Sequence, residues 1–311
     1  DHPGVVLLTT HSVGRRRASE PLTAGYAEAM KMIPDLTLND GHTIPQLGLG
    51  TFQVPPEDTA ATVKAALEAG YRHIDTAQMY GNEAGVGEAV RASGLDREEV
   101  YVTSKLNTGA HLPDDARRAF DGTLEALGMD YVDLFLIHWP MVLSYGGDFI
   151  STWKVFEEFK GDGRARSIGV SNFRIVDLER LLAGADVVPA VNQIEVNPLF
   201  RNDPLREFGA ERGILTESWS PLAQGAVLGE PAVTSVAARL ARTPAQVVTR
   251  WHIERGDIVF PKTVSPERMR QNLDVFDFEL SGADMAALGT LDRGPDGRTG
   301  ANPDTFDYKP A

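Results

Sequence analysis

From Leu47 onward the chain alternates short strand-like and longer helix-like segments eight times, and nothing else in the sequence limits the fold as strongly. A helical stretch over Thr59–Ala69 stops at Gly70, and Arg72–Asp75 reads as a short strand. Helices over Asn82–Ala92 and Asp114–Leu127 enclose a strand at Val100–Thr103. Val132–Ile137 is an unbroken apolar run, as expected of a strand covered on both faces. Further pairs follow to Ile258–Phe260, and a last helix is expected over Pro266–Asn272. Each strand–helix unit returns the chain parallel and right-handed. Eight units close into an α/β (β/α)8 barrel of the triosephosphate-isomerase (TIM) type. Ahead of it, Leu36-Thr37-Leu38 and Thr43-Ile44-Pro45 flank Asn39-Asp40-Gly41 as a short N-terminal β-hairpin.

The rival is an open doubly wound sheet, which expects G-x-G-x-x-G after its first strand. Gly48-Leu49-Gly50 has Gln53 in the third place, and Gly85-Val86-Gly87 has Val90 there and lies within a helix. The missing fingerprint favours the barrel. Without internal repeats or low-complexity linkers, residues 33–311 read as one domain. Residues 1–32 read as a disordered extension, or as sequence upstream of a start at Met30 or Met32. Val5–Leu8 is too short, and wrongly ordered relative to Arg15–Arg17, for a secretory signal. No apolar run approaches membrane-spanning length, so nothing is expected to span a membrane. A cytoplasmic monomer with no membrane partner is expected.

Composition then narrows the chemistry. With no cysteine, thiol nucleophiles, cysteine-bound zinc and iron–sulfur clusters are excluded. The net charge of −14 argues against nucleic acid as a partner, although one local basic pocket could still bind a phosphate.

Active residues of such a barrel come from the carboxyl ends of its strands and the loops beyond them. Asp75 ends the second barrel strand, Tyr80 follows in its loop, Lys105 ends the third strand and His138 the fourth. Singly, each has a plainer role: a structural ion pair, a rim tyrosine, a satisfied buried histidine. Their convergence on one mouth points to chemistry. An ammonium at Lys105, held by Asp75, is expected to lower the pKa of the Tyr80 phenol. His138 can hydrogen-bond the same substrate oxygen. Tyr80 then serves as general acid toward an oxygen gaining charge, which suits reduction of a carbonyl by an external hydride.

Longer motifs carry a resemblance. Gly70-Tyr71-Arg72-His73-Ile74-Asp75-Thr76-Ala77 is followed by Tyr80-Gly81-Asn82-Glu83. Leu136-Ile137-His138-Trp139-Pro140, Ser167-Ile168-Gly169-Val170-Ser171-Asn172-Phe173 and Val191-Asn192-Gln193-Ile194-Glu195 come next in order. Phe260-Pro261-Lys262-Thr263, with Arg268 and Asn272, completes the set. From about residue 33 to the C terminus the chain resembles the aldo-keto reductase superfamily. Gly50–Val54 and the tail from Arg298 to Phe306 are similar to its bacterial 2,5-diketo-D-gluconate reductase-like branch.

The resemblance implies a catalytic tetrad of Asp75, Tyr80, Lys105 and His138, and NADPH as cofactor. It implies nicotinamide on Trp219, its carboxamide held by Ser171, Asn172 and Gln193. The pyrophosphate is expected past Ser220, Leu222 and Gly225. The 2′-phosphate is expected at Lys262, Thr263 and Arg268, with Thr51, Phe52, Val264, Gln271 and Asn272 as further cofactor contacts. Phe52, Tyr80, His138 and Trp139 are implied around a small carbonyl substrate. The family often has glutamate where Gln271 stands, and many relatives carry tryptophan where Asn107 stands, so those contacts are expected to differ. Some relatives bind the cofactor as sensing subunits, which leaves an NADPH-binding regulatory protein as the alternative to an enzyme.

Overall fold

The computed structural model describes residues 33–310; the expected extension over 1–32 lies outside the described residues. Strands β1 (Asp35–Thr37) and β2 (Thr43–Pro45) pair antiparallel, with Leu36 opposite Ile44. Leu38 and Ile44 pack on Leu134, Leu136 and Ile258 of the barrel strands and on Phe260 just past the last of them, so this hairpin plugs one end of the barrel.

The barrel strands are β3 (Leu49–Gly50), β4 (His73–Asp75), β5 (Tyr101–Leu106), β6 (Val132–Ile137), β7 (Ala165–Ser171), β8 (Val191–Glu195), β9 (Leu215–Trp219) and β10 (Ile258–Val259). They lie in sequence order as one eight-stranded sheet, every neighbouring pair parallel. A parallel bridge from Leu47 to Val259 closes the circle, with Gly48 N–H donating to Val259 O at 3.0 Å. The expected barrel and hairpin are both present.

The helices start and stop where local chemistry dictates. Helix α1 (Pro56–Ala69) opens on a proline, whose missing N–H costs nothing at a helix start. It ends at Gly70, whose φ of 113° a Cβ would disfavour. Helices α2 (Glu83–Ala92), α3 (Pro113–Leu127), α4 (Ile150–Gly161), α5 (Ile175–Gly184), α6 (Asp203–Ala210), α7 (Pro231–Leu240), α8 (Pro244–Glu254) and α9 (Pro266–Leu273) follow. Gly87 on α2 is a packing glycine: a Cβ there would fall 2.0 Å from Leu127 O of α3. This is why Gly85-Val86-Gly87 mimics part of a nucleotide fingerprint without forming one.

One element went unanticipated, α10 (Gly282–Gly289). Its signal was present in Ser281 and Asp284, which form a reciprocal capping box. Between sheet and helices lies a close-packed apolar layer in which Phe120 stacks on Phe135 and Phe159, with ring centroids 4.4 and 4.3 Å apart.

Candidate active site

In the β4–β5 register Asp75 sits opposite Thr103. Two residues further on, Lys105 therefore shares the inward face of Thr103 and rises beside the Asp75 carboxylate. Lys105 Nζ donates to Asp75 Oδ1 at 2.7 Å, to Thr76 O at 2.9 Å and to the Tyr80 hydroxyl at 3.3 Å. Tyr80 ends a single turn, Gln78–Tyr80, that follows β4. Asn82 anchors this turn: its Nδ2 donates to Thr51 O at 2.9 Å and Val54 O at 3.1 Å, and its Oδ1 accepts from Thr76 at 2.8 Å. The loops after β3 and β4 are thereby tied together. Phe52 meets the Tyr80 ring at 5.1 Å, and the His138 ring stands edge-on to it at 5.8 Å.

Burial and charge compete here, and burial decides one outcome against expectation. Burial raises the Tyr80 pKa; Lys105 works the other way without overcoming it, and Asp75 adds to the rise. The phenol is held protonated at neutral pH and can release its proton only as charge develops on an acceptor. Burial disfavours the Lys105 ammonium, but Asp75 and Tyr80 outweigh it and raise its pKa. Burial first, then Lys105 and His111, keeps His138 well below the usual imidazole range and hence neutral. His138 Nδ1 has no hydrogen-bond partner among the described residues.

A further carboxyl lies beneath this group, missed from sequence. Glu217 of β9 stands opposite Gln193 of β8 and is fully buried. Gln193 Nε2 donates to Glu217 Oε2 at 3.0 Å and to Asp75 Oδ2 at 2.8 Å. Burial, reinforced by Asp75, pushes the Glu217 pKa up to about 8; Gln193 and Lys105 oppose the shift. Burial, and then the nearby Glu217, raise the pKa of Tyr101.

An unfolded glutamate titrates near 4.3. Between that value and about 8 the folded chain holds a proton that the unfolded chain has released, so stability falls as pH rises through this window. Glu217→Gln removes that slope. Its unfolding free energy is expected to match the natural protein near pH 5 and to exceed it by roughly 2–4 kcal/mol at pH 8, read from urea melts at both pH values.

The residues expected around a cofactor form two groups. In the first, Ser171, Asn172, Gln193 and Trp219 interlock. Asn172, at φ 64°, donates from Nδ2 to His138 O at 2.9 Å and to Ser171 Oγ at 3.1 Å, while its Oδ1 accepts from Trp219 Nε1 at 2.9 Å. Ser171 Oγ donates to Gln193 O at 2.8 Å. Ser220 and Gly225 have positive φ in the turn beyond β9, with Leu222 between them. In the second group, Lys262 and Arg268 are exposed and have no acidic partner among the described residues. Free cations on so acidic a chain suit a phosphate. Thr263 is buried between them in the chain, Val264 is exposed, Gln271 donates to Glu267 at 3.4 Å, and Asn272 is buried and donates to Pro261 O at 3.4 Å. Thr51, expected among the cofactor contacts, is fully buried, and its hydroxyl bonds Asp75 O at 3.2 Å.

The C-terminal segment completes the mouth. Phe306 stacks on Trp139 with centroids 3.9 Å apart, so one face of that expected substrate wall is covered. Asp307 bonds Ser144, Asp304 pairs with Arg174, and Tyr308 O accepts from Thr108 Oγ1 at 2.8 Å. Glu195 binds Thr299 N–H and hydroxyl, each at 2.6 Å, and Gly300 N–H at 3.1 Å. Gly300 lies so close to Trp219 that a Cβ would fall 2.2 Å from its ring. Asn107 turns inward on its own loop, accepting from Gly109 N–H at 2.9 Å.

Known proteins resemble this chain in sequence and in fold. The family model described as the aldo/keto reductase family matches residues 46–293. An aldo-keto reductase of Mycolicibacterium smegmatis is 49% identical over 277 residues, covering 89% of this chain and 99% of the relative. Morphine 6-dehydrogenase of Pseudomonas putida is 46% identical over 288 residues, covering 88% of this chain and 96% of that protein. A solved structure of a Gox0644 variant in complex with NADPH aligns with a TM-score of 0.84 at 45% identity, covering 89% of this chain and 99% of that one.

Proposed function

This chain belongs to the aldo/keto reductase family, and from that premise we propose that it is an NADPH-dependent reductase of aldehydes, ketones and α-dicarbonyls with Tyr80 as general acid. The observation that carries the reading is the buried Lys105 ammonium, 2.7 Å from Asp75 and 3.3 Å from the Tyr80 hydroxyl, with the neutral His138 ring beside that phenol. NADPH, when bound, supplies the hydride. Tyr80 gives its proton to the carbonyl oxygen. Lys105, fixed by Asp75 and Thr76 O, stabilises the phenolate left behind. His138 offers an N–H to the same oxygen. Phe52, Trp139 and Phe306 supply apolar surface that keeps water from the reacting centre.

The reading extends to keto sugars, keto acids and methylglyoxal-like dicarbonyls, as in the 2,5-diketo-D-gluconate reductase-like branch, handled by a cytoplasmic monomer of one barrel domain. Asn107 in place of an aromatic side chain leaves the mouth wider and more polar at that point, so the substrate range is expected to depart from that branch there. NADPH oxidation across a panel of these compounds and a bulky ring ketone tests it. Turnover of at least one substrate class is expected; tight NADPH binding without turnover of any would instead mark a cofactor-binding subunit.

The unpaired cations predict cofactor choice. Each charge-assisted contact to a phosphate contributes about 1.5–3 kcal/mol before solvent screening. Replacing Lys262 and Arg268 together by alanine is expected to raise the Kd for NADPH about 50-fold and to leave that for NADH within about threefold. Fluorescence titration with both cofactors measures this. An equal loss for both would remove the 2′-phosphate assignment.

A further inference from the structure

Glu217 takes no part in the proton transfer described above, yet it shares a donor atom with Asp75. Gln193 Nε2 lies 2.8 Å from Asp75 Oδ2 and 3.0 Å from Glu217 Oε2. Asp75 is ion-paired with Lys105, so its oxygens only accept, and the Gln193 atom facing it must be the nitrogen. That nitrogen has two N–H donors, and the two carboxyl groups take both. The donors of the neighbouring side chains are spent in the same way. Asn172 Nδ2 gives its two to His138 O and Ser171 Oγ, and the Ser171 hydroxyl goes to Gln193 O.

What these side chains keep open is acceptor capacity alone: Oε1 of Gln193, a second lone pair on Asn172 Oδ1 and a remaining lone pair on Ser171 Oγ. A nicotinamide carboxamide presents an NH2 and a carbonyl. A set of acceptors recognises only the NH2.

We propose that Glu217 is a positioning residue which, together with Asp75, locks the Gln193 amide so that the cofactor's carboxamide is selected through its NH2. The proposal rests on the reading that nicotinamide docks against Trp219 beside these residues.

The test is binding, without turnover. NADPH is compared with its 3-acetylpyridine analogue, in which the carboxamide NH2 is replaced by a methyl group and the carbonyl is kept. Kd values are read from quenching of tryptophan fluorescence. The natural protein is expected to prefer NADPH by about 10-fold or more, the scale of one or two lost hydrogen bonds. Glu217→Met leaves one Gln193 N–H free to turn outward. It is expected to cut the preference about 5-fold to 10-fold by weakening NADPH, with analogue binding within about twofold. Glu217→Gln, whose carbonyl oxygen can still accept, is expected to retain the preference. If Glu217→Met does not fold, Glu217→Asp serves instead: it withdraws the carboxyl by one methylene, keeps its polarity and is expected to lose the preference severalfold.

An equal weakening of both ligands in Glu217→Met or Glu217→Asp marks a structural role and overturns the proposal. A natural protein that binds NADPH and the analogue equally well also overturns it. Failure of the natural protein to bind NADPH at all overturns the functional reading itself, which distinguishes the two.

Discussion

Replacing Tyr80 with phenylalanine is expected to lower kcat for dicarbonyl reduction by about 10³-fold while NADPH affinity stays within about twofold, since general acid catalysis contributes roughly 10²–10⁴. The substitution removes one oxygen and little else. The ring that meets Phe52 at 5.1 Å and His138 at 5.8 Å is retained. Lys105 keeps its bonds to Asp75 at 2.7 Å and Thr76 O at 2.9 Å, so its ammonium is not left bare. Burial holds the phenol protonated, so the hydroxyl removed is the proton donor itself. His138 is neutral and cannot give up a proton as readily as an imidazolium would. Steady-state NADPH oxidation and fluorescence titration measure the two quantities. Turnover within tenfold of the natural enzyme would remove Tyr80 from its assigned role.

Lys105→Met is expected to affect folding as well as chemistry. The lysine is fully buried, and its removal leaves the Asp75 carboxylate among buried groups with Gln193 as its remaining side-chain donor. Breaking a buried ion pair from one side typically costs about 3–5 kcal/mol. For a chain of this size that is a fall of roughly 10 °C in Tm. Turnover should fall at least as far as in Tyr80→Phe, because the phenolate formed on proton transfer loses its counter-charge. Adding Asp75→Asn to Lys105→Met removes the stranded charge. The double variant should regain much of the lost Tm and none of the lost activity. Thermal unfolding of the two variants decides the matter: a double variant less stable than Lys105→Met would mean that Asp75 is not stranded.

Much of this was legible in the sequence because it rests on local signals. Helix α1 stops at Gly70 because that position needs φ of 113°, and Val132–Ile137 is apolar throughout because both of its faces are covered. Asp75, Lys105 and His138 announce themselves as charged or polar groups at the ends of apolar strands. Other features depend on depth and register, which no local pattern encodes. The sign of the Tyr80 shift turns on burial outweighing Lys105, and burial exists only once the barrel is closed. Glu217 reads as an ordinary strand residue until β8–β9 pairing sets it opposite Gln193. Asn82 looks like a helix cap, yet its amide spans the loops after β3 and β4. Thr51 sits next to Phe52 at the mouth, but its hydroxyl points into the sheet connection.

The seating of Phe306 on Trp139, with Asp304, Asp307 and Tyr308 fastened to the loops around them, sets an order of assembly during synthesis. The tetrad residues leave the ribosome well before Val259, and the barrel can close once Val259 has emerged to meet Leu47. The wall over Trp139 must wait for residues 304–308. A nascent chain whose barrel has closed before residues 304–308 emerge still has an open chamber, and the pocket acquires its final shape only once they are seated.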